Sequence, residues 1–404
     1  MSEQDRDKEI REELERAKRE QNAPRRKKGG LRRALGLLLV LVVVLGAVAF
    51  AAYRDIGSVD SLRRLLSYNK VQQDADGKAE LFRYDSDRTA QYAMLGDDLL
   101  IVSTTRILLL GSDDTEIFSR PVNLTNPAVS VGAQTAAVYD VGGSLLYLLG
   151  ARGLVRDMSG ESGNGILSAA LNASDYLAVT TLKSGYRAAV KVYNAAGETV
   201  FELNSSERYV SDACVLSDNR HLAAVTLGEA DGVFASRLTI YAFDSEKPVS
   251  EATLGGSMVL LLDDLGGTLA ALEDDRLTLF DADGALSGSC RYDYPYLRGQ
   301  STDGAGFAVL LLSRYRSGSA LRVVSVGAEG NILGTLDARR EILDVSAAGR
   351  YVAVLYSDSL AIYTAELEEY ASLADTDYAR EVVMRADGTA LLIGASRAWL
   401  YIPS

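Results

Sequence analysis

From residue 78 onward the chain repeats itself about every forty residues. Short apolar runs alternate with turns of Gly, Asp, Asn and Ser, and no convincing amphipathic helix interrupts them. One unit reads Val210–Leu216, a turn at 217–220, His221–Leu227, a longer connection, Arg237–Phe243, a turn at 244–247, then Pro248–Leu254. That is four strands joined by hairpins. First strands begin near residues 91, 128, 166, 209, 257, 300, 341 and 380. Their gaps run 37, 38, 43, 48, 43, 41 and 39. Blade-like β repeats recur at about 40–45 residues.

The two ends supply a second constraint. The last repeat offers three strands, near 381–385, 389–393 and 398–402. An orphan strand, Ala79–Tyr84, precedes the first repeat. It is expected to pair with Ala398–Ile402 as the outermost strand of the last unit. Such a closure removes an exposed sheet edge, which otherwise invites aggregation. The expected fold is therefore all-β: a β-propeller of eight four-stranded blades closed by an N-terminal strand. Seven blades is the alternative, if the weak repeat near 128–160 merges with a neighbour.

Residues 1–33 form a charged leader with 12 Lys/Arg and 8 Asp/Glu, a net +4. The remainder carries 30 − 47 = −17. Ala34 to Tyr53 are 20 uncharged residues. As a helix they would reach about 30 Å, the thickness of a bilayer's hydrocarbon core. A signal peptide has a shorter apolar stretch, although Ala47, Ala49, Ala51 and Ala52 could mimic a cleavage site. Six basic residues between Arg25 and Arg33 precede the segment. The positive-inside rule then places 1–33 in the cytoplasm, 34–53 as a single transmembrane helix, 54–77 as an extracytoplasmic stalk, and 78–404 outside as the propeller domain. A membrane is thus one expected partner. A domain so acidic is not expected to bind nucleic acid, which needs a positive surface.

The layout resembles an uncharacterised Gram-positive bacterial family of single-pass, membrane-anchored β-propeller proteins, a domain of unknown function. The resemblance rests on turns such as Ala386-Asp387-Gly388 and Ser346-Ala347-Ala348-Gly349, each followed by Val/Leu/Ala/Tyr strands. More distantly it is similar to propeller scaffolds that help assemble bacterial envelope proteins. It implies fold and location, and no catalytic residue.

Residues that carry chemistry are scarce. His221 is the one His, so sites needing two imidazoles are excluded. It follows a turn and reads as ordinary. Cys214 and Cys290 fall on inner and outer strands of different units, too far apart for a disulfide, and read as buried thiols. Asp281-Ala282-Asp283-Gly284 and Asp74–Gly77 read as turns, because the bidentate Glu of a calcium loop is absent. No cofactor, metal or catalytic set is expected. Two buried acids with raised pKa in the channel would favour an enzyme, and a Ser/Gly-lined channel a scaffold.

Loop length is asymmetric. In a propeller, connections from strand two to three, and from unit to unit, share one face. The long connections here belong to that class, and the opposite class is tight. They carry Tyr186, Arg187, Phe234, Tyr292, Tyr294, Tyr296, Arg314, Tyr315, Arg316, Arg339 and Arg340. Tyr and Arg are enriched where partners bind. The expectation is a non-enzymatic binding scaffold tethered at the cell envelope, with a protein or cell-wall glycan partner. A carboxylate-dependent glycan-acting enzyme and an envelope sensor are the alternatives.

Overall fold

The computed structural model describes residues 71–403, apart from 86, 88, 161–164, 231 and 256, together with 13, 15, 16, 60, 64 and 68. The chain divides into residues 1–66 and 67–404, and every strand lies in the second unit. The proposed membrane segment 34–53 lies outside the described residues. No described helix is long and apolar enough to cross a membrane.

The chain order begins with β1 (Lys78–Arg83). Four-stranded antiparallel sheets follow, each paired in simple sequence order. The first holds β2 (Gln91–Leu95), β3 (Asp98–Val102), β4 (Arg106–Leu110) and β5 (Glu116–Pro121). The second holds β6 (Pro127–Val131), β7 (Thr135–Asp140), β8 (Leu146–Gly150) and β9 (Gly153–Asp157). The third holds β10 (Ile166–Leu171), β11 (Leu177–Thr181), β12 (Ala188–Tyr193) and β13 (Thr199–Ser205). The fourth holds β14 (Tyr209–Val215), β15 (His221–Ala230), β16 (Val233–Ala242) and β17 (Pro248–Gly255). The fifth holds β18 (Val259–Asp264), β19 (Leu269–Glu273), β20 (Arg276–Phe280) and β21 (Leu286–Arg291).

The sixth sheet has seven strands: β22 (Tyr296–Gly304), β23 (Phe307–Ser313), β24 (Ala320–Gly327), β25 (Ile332–Ala348), β26 (Tyr351–Tyr356), β27 (Leu360–Thr364) and β28 (Glu369–Leu373). β25 bridges two repeats. Its first part pairs with β24, and Ile342–Ala348 pair with β26. The last sheet joins β29 (Glu381–Met384), β30 (Ala390–Ile393) and β31 (Arg397–Tyr401) to β1. Lys78 lies opposite Tyr401 and Arg83 opposite Arg397, so the orphan strand pairs where the sequence places it.

The residue pattern explains the layering. Second strands such as β3, β11 and β26, and third strands such as β4 and β27, are buried on both faces, so they read as unbroken apolar runs. Fourth strands are less buried, and β13 alternates from Phe201 onward, because one side meets water. Apolar seams join successive sheets. Leu100, Val102, Ala136 and Val138 lie in one, Cys214, Val225, Leu262 and Leu269 in another. The last seam sets Phe82, Leu391 and Ile393 against Leu99, Ile101 and Leu108, bringing the end of the chain back to its first sheet.

One connection differs from expectation. Residues 228–236 are not a loop: β15 and β16 stay paired as far as Ala230 and Val233. Asp281–Gly284 is a turn as read, with the Gly284 amide donating to the Asp281 carbonyl at 3.0 Å.

Candidate interaction face and central channel

In each sheet the turns after first and third strands point one way. Those after second and fourth strands point the other. Six aromatic side chains are exposed among the described residues: Tyr186, Tyr209, Phe234, Tyr296, Tyr315 and Tyr378. All six fall on the second class, in connections or at the strand ends bordering them. Tyr209 and Tyr378 were not singled out from sequence. The signal for both was position: one opens a first strand and the other precedes one.

The structure distributes the eleven expected residues unevenly. Tyr186 and Phe234 are exposed, Phe234 at the tip of the β15–β16 hairpin. Arg187 donates to the Tyr209 hydroxyl at 2.6 Å and lies over its ring. Tyr296, Arg314, Tyr315 and Arg316 gather at one corner, with the Arg298 guanidinium donating to the Arg316 carbonyl at 3.0 Å. Tyr294 is half-buried under Arg314 and Arg322, which lie 4.7 and 4.2 Å from its ring centre. Arg340 pairs with Asp358 at 3.0 Å and covers Tyr356, while Arg339 is exposed. Tyr292 must be corrected. It is 9% exposed, and its hydroxyl donates to the carbonyls of Glu273 and Arg276. It satisfies the β19–β20 turn and presents nothing to a partner.

The first strands line the centre, and sequence reasoning missed what they carry. The edge of each first strand has amides with no strand to pair with. Side chains of neighbouring repeats accept them, as buried backbone donors require. Asp212 accepts the Leu262 amide at 3.0 Å, and Asp344 the Val382 amide at 2.9 Å. Ser130, Ser301 and Ser346 accept from Leu171, Ala347 and Met384. A recurrent bulge sets up this geometry. The ladder to the second strand skips between Ile166 and Ser168, Val210 and Asp212, Val259 and Leu261, Leu297 and Gly299, and Ile342 and Asp344.

A cavity of about 690 Å³ lies among β6, β10, β14, β18 and β22. Asp212, Asp263, Thr302 and Asp303 line it beside Leu261 and Tyr139. Burial raises the carboxyls of Asp212 and Asp303, and lifts Asp263 to about 6. Farther round, burial holds Asp344 at about 6, and burial with the Asp344 charge holds Glu381 at about 7. The channel is therefore acidic rather than merely Ser/Gly-lined. These acids face structural partners: Asp212 also accepts the Ala213 amide, and Asp263 takes the Thr302 hydroxyl and the Asp264 amide. No group of three or more His, Cys, Asp or Glu among the described residues could hold a metal ion.

His221 bonds Asp218 through Nδ1 at 2.5 Å beside its turn. Cys214 and Cys290 are buried free thiols, both pushed upward in pKa by burial.

Two solved structures are similar to this chain. The C-terminal WD40 domain of Sif2 is 13% identical, with 81% of this chain and 99% of that one covered, at a TM-score of 0.55. BamB from Moraxella catarrhalis is 15% identical, covering 82% and 100%, at a TM-score of 0.49. At these identities the likeness to Sif2 is one of fold, a β-propeller. No curated protein matches the sequence. A family model does match, over residues 68–372, and the chain belongs to that family, DUF5711, a family of unknown function.

Proposed function

We propose that this protein is a membrane-tethered, non-enzymatic interaction scaffold whose eight-bladed propeller holds a protein partner on its Tyr/Arg face outside the cytoplasm. The gathering of all six exposed aromatics on one face carries the reading. Aromatic side chains with a polar handle supply area at low entropic cost. The blade count follows from treating the two halves of β25 as strands of adjacent blades. The tether is the uncharged run 34–53, with the basic cluster Arg25–Arg33 on its cytoplasmic side. β1 enters from the tight-turn face, and Tyr68 donates to Asp387 on that same face at 2.8 Å. The aromatic face then points away from the lipid.

The test is site-specific photocrosslinking in intact cells from Tyr315, Tyr296 and Phe234. Leu286, exposed on the outer strand β21, is the control. A discrete protein adduct from the three and none from Leu286 is expected. No adduct, or the same adducts from all four, refutes the face. Protease added to whole cells should digest residues beyond 78, and their protection refutes the orientation.

A carboxylate-dependent glycan hydrolase is the second reading, favoured by Asp212, Asp263 and Asp303 meeting in one cavity. It requires release of reducing ends from cell-wall glycan by the full chain, abolished by Asp263→Asn.

A further inference from the structure

We propose that the corner built from Arg298, Arg314 and Arg316 docks an acidic polypeptide segment and receives its carboxylates. This deepens the reading of the aromatic face as an interaction surface and rests on it.

The corner is constructed by the fold. The bulge between Leu297 and Gly299 leaves Arg298 out of the ladder with β23. At the same place in two other first strands stand Leu260 and Leu343, both exposed. A bulge re-aims the side chain it carries, and here that side chain is a guanidinium. Its contact with the Arg316 carbonyl fixes it against the β23–β24 connection. That connection is folded by the Ser313 hydroxyl, which reaches the carbonyls of Tyr315 at 3.0 Å and Ser319 at 3.3 Å. Arg314 is braced over the Tyr294 ring.

Positive charge is in excess here, four arginines against two carboxylates, although Arg314 also helps to hold the Asp337 carboxyl low. The nearby carboxylates Asp293 and Asp337 are committed to Arg322, Asp337 through two bonds of 2.7 and 2.8 Å. Among the described residues, Arg298, Arg314 and Arg316 make no ion pair. Residues 34–404 carry 30 − 47 = −17, so three arginines without an ion pair, on one connection and the strand beside it, stand against the overall field. An acidic partner is repelled elsewhere and admitted here, which fixes its orientation.

A polypeptide is favoured by the composition of the connection. Ser313-Arg314-Tyr315-Arg316-Ser317-Gly318-Ser319 combines rigid Tyr area with adaptable Ser and Gly, the mixture of protein-binding paratopes. Guanidinium forks match the planar carboxylates of Asp and Glu in bidentate fashion.

The experiment uses the full 404-residue chain in a non-ionic detergent. A fluorescent glutamate–tyrosine copolymer is the probe, with a lysine–tyrosine copolymer and hyaluronate as comparisons. Saturable, salt-sensitive binding of the glutamate–tyrosine copolymer alone is expected. The pair Arg314→Glu with Arg316→Glu should weaken it roughly tenfold or more, a loss in line with removing charge-assisted contacts. The charge-matched pair Arg152→Glu with Lys247→Glu, on tight turns of the opposite face, should leave it unchanged. Thermal unfolding of both pairs checks folding. No saturable binding, equal loss from both pairs, or equal binding of hyaluronate overturns the proposal. Adducts at Tyr315 in cells together with no copolymer binding would remove the acidic partner while leaving the interaction face standing.

Discussion

Phe82→Ala tests the closure of the ring. Phe82 is fully buried on the short strand β1 and packs with Leu99, Ile101, Leu391, Ile393 and Ala398. It therefore joins the last sheet to the first. Removing a buried ring costs about 3–5 kcal/mol through lost transfer energy and the cavity left behind. β1 has six residues and pairs with one neighbour, so little else retains it. The loss should fall first on the seam. Hydrogen exchange followed by mass spectrometry is the assay. Amides of β1 and β31 should exchange together, faster by about 10²-fold to several times 10³-fold, where each 1.4 kcal/mol is a factor of ten. The sheet β14–β17, across the ring, should keep its protection. Phe234→Ala removes an exposed ring and should change stability by under about 0.5 kcal/mol. If Phe82→Ala leaves β31 as protected as in the parent chain, β1 does not close the ring.

Two further outcomes follow from packing and charge. A Cβ on Gly288 would sit 2.0 Å from the Glu329 carbonyl oxygen, and one on Gly334 2.2 Å from that of Glu366. Each is a fourth strand meeting the next repeat's turn, so Gly288→Ala or Gly334→Ala should cost about 1–3 kcal/mol in chemical unfolding. Gly299→Ala meets nothing nearer than 3.5 Å and should be nearly neutral. The raised channel acids Asp263, Asp344 and Glu381 bind protons more tightly when folded. Their contribution is full below about pH 4 and lost as pH climbs through about 6 to 7. Carboxylates held low by Arg, such as Asp337 beside Arg322, work oppositely as pH falls. The readout is therefore a difference. Glu381→Gln should raise the melting temperature relative to the parent at about pH 7.5 and not at about pH 4. Equal effects at both would show that Glu381 titrates normally.

The repeat was legible because doubly buried strands leave unbroken apolar runs, as in Tyr351–Tyr356, and turns punctuate them. The pairing of β1 was legible because the last repeat lacked a strand. Other features escaped for physical reasons. Asp337 to Glu341 is a polar run that reads as a break, yet the backbone stays extended through it because β24 pairs with it at Asp337 and Ile342, and β26 takes over at Ile342. Gly228–Ser236 reads as a loop, yet it continues a hairpin beyond the sheet. Tyr292, Tyr294 and Tyr296 look alike in sequence. What separates them is the pair of turn carbonyls awaiting a donor at Tyr292.

The channel acids escaped for a reason that also bears on function. Alternation reads a strand's two faces only while the pairing register holds. A bulge in a first strand shifts that register by one residue, so the parity reverses midway. The residue past the bulge turns toward the next repeat, as Asp212 and Asp344 do, and holds its neighbour's amide. The skipped residue is released from the ladder, as Leu260, Arg298 and Leu343 are. One irregularity thus does two things: it ties adjacent repeats together at the centre, and it supplies a free position near the aromatic face. In the repeat beginning at β22 that position holds Arg298 beside Tyr296 and Arg316, while Ser301, further along the same strand, keeps the tie to the next repeat through the Ala347 amide.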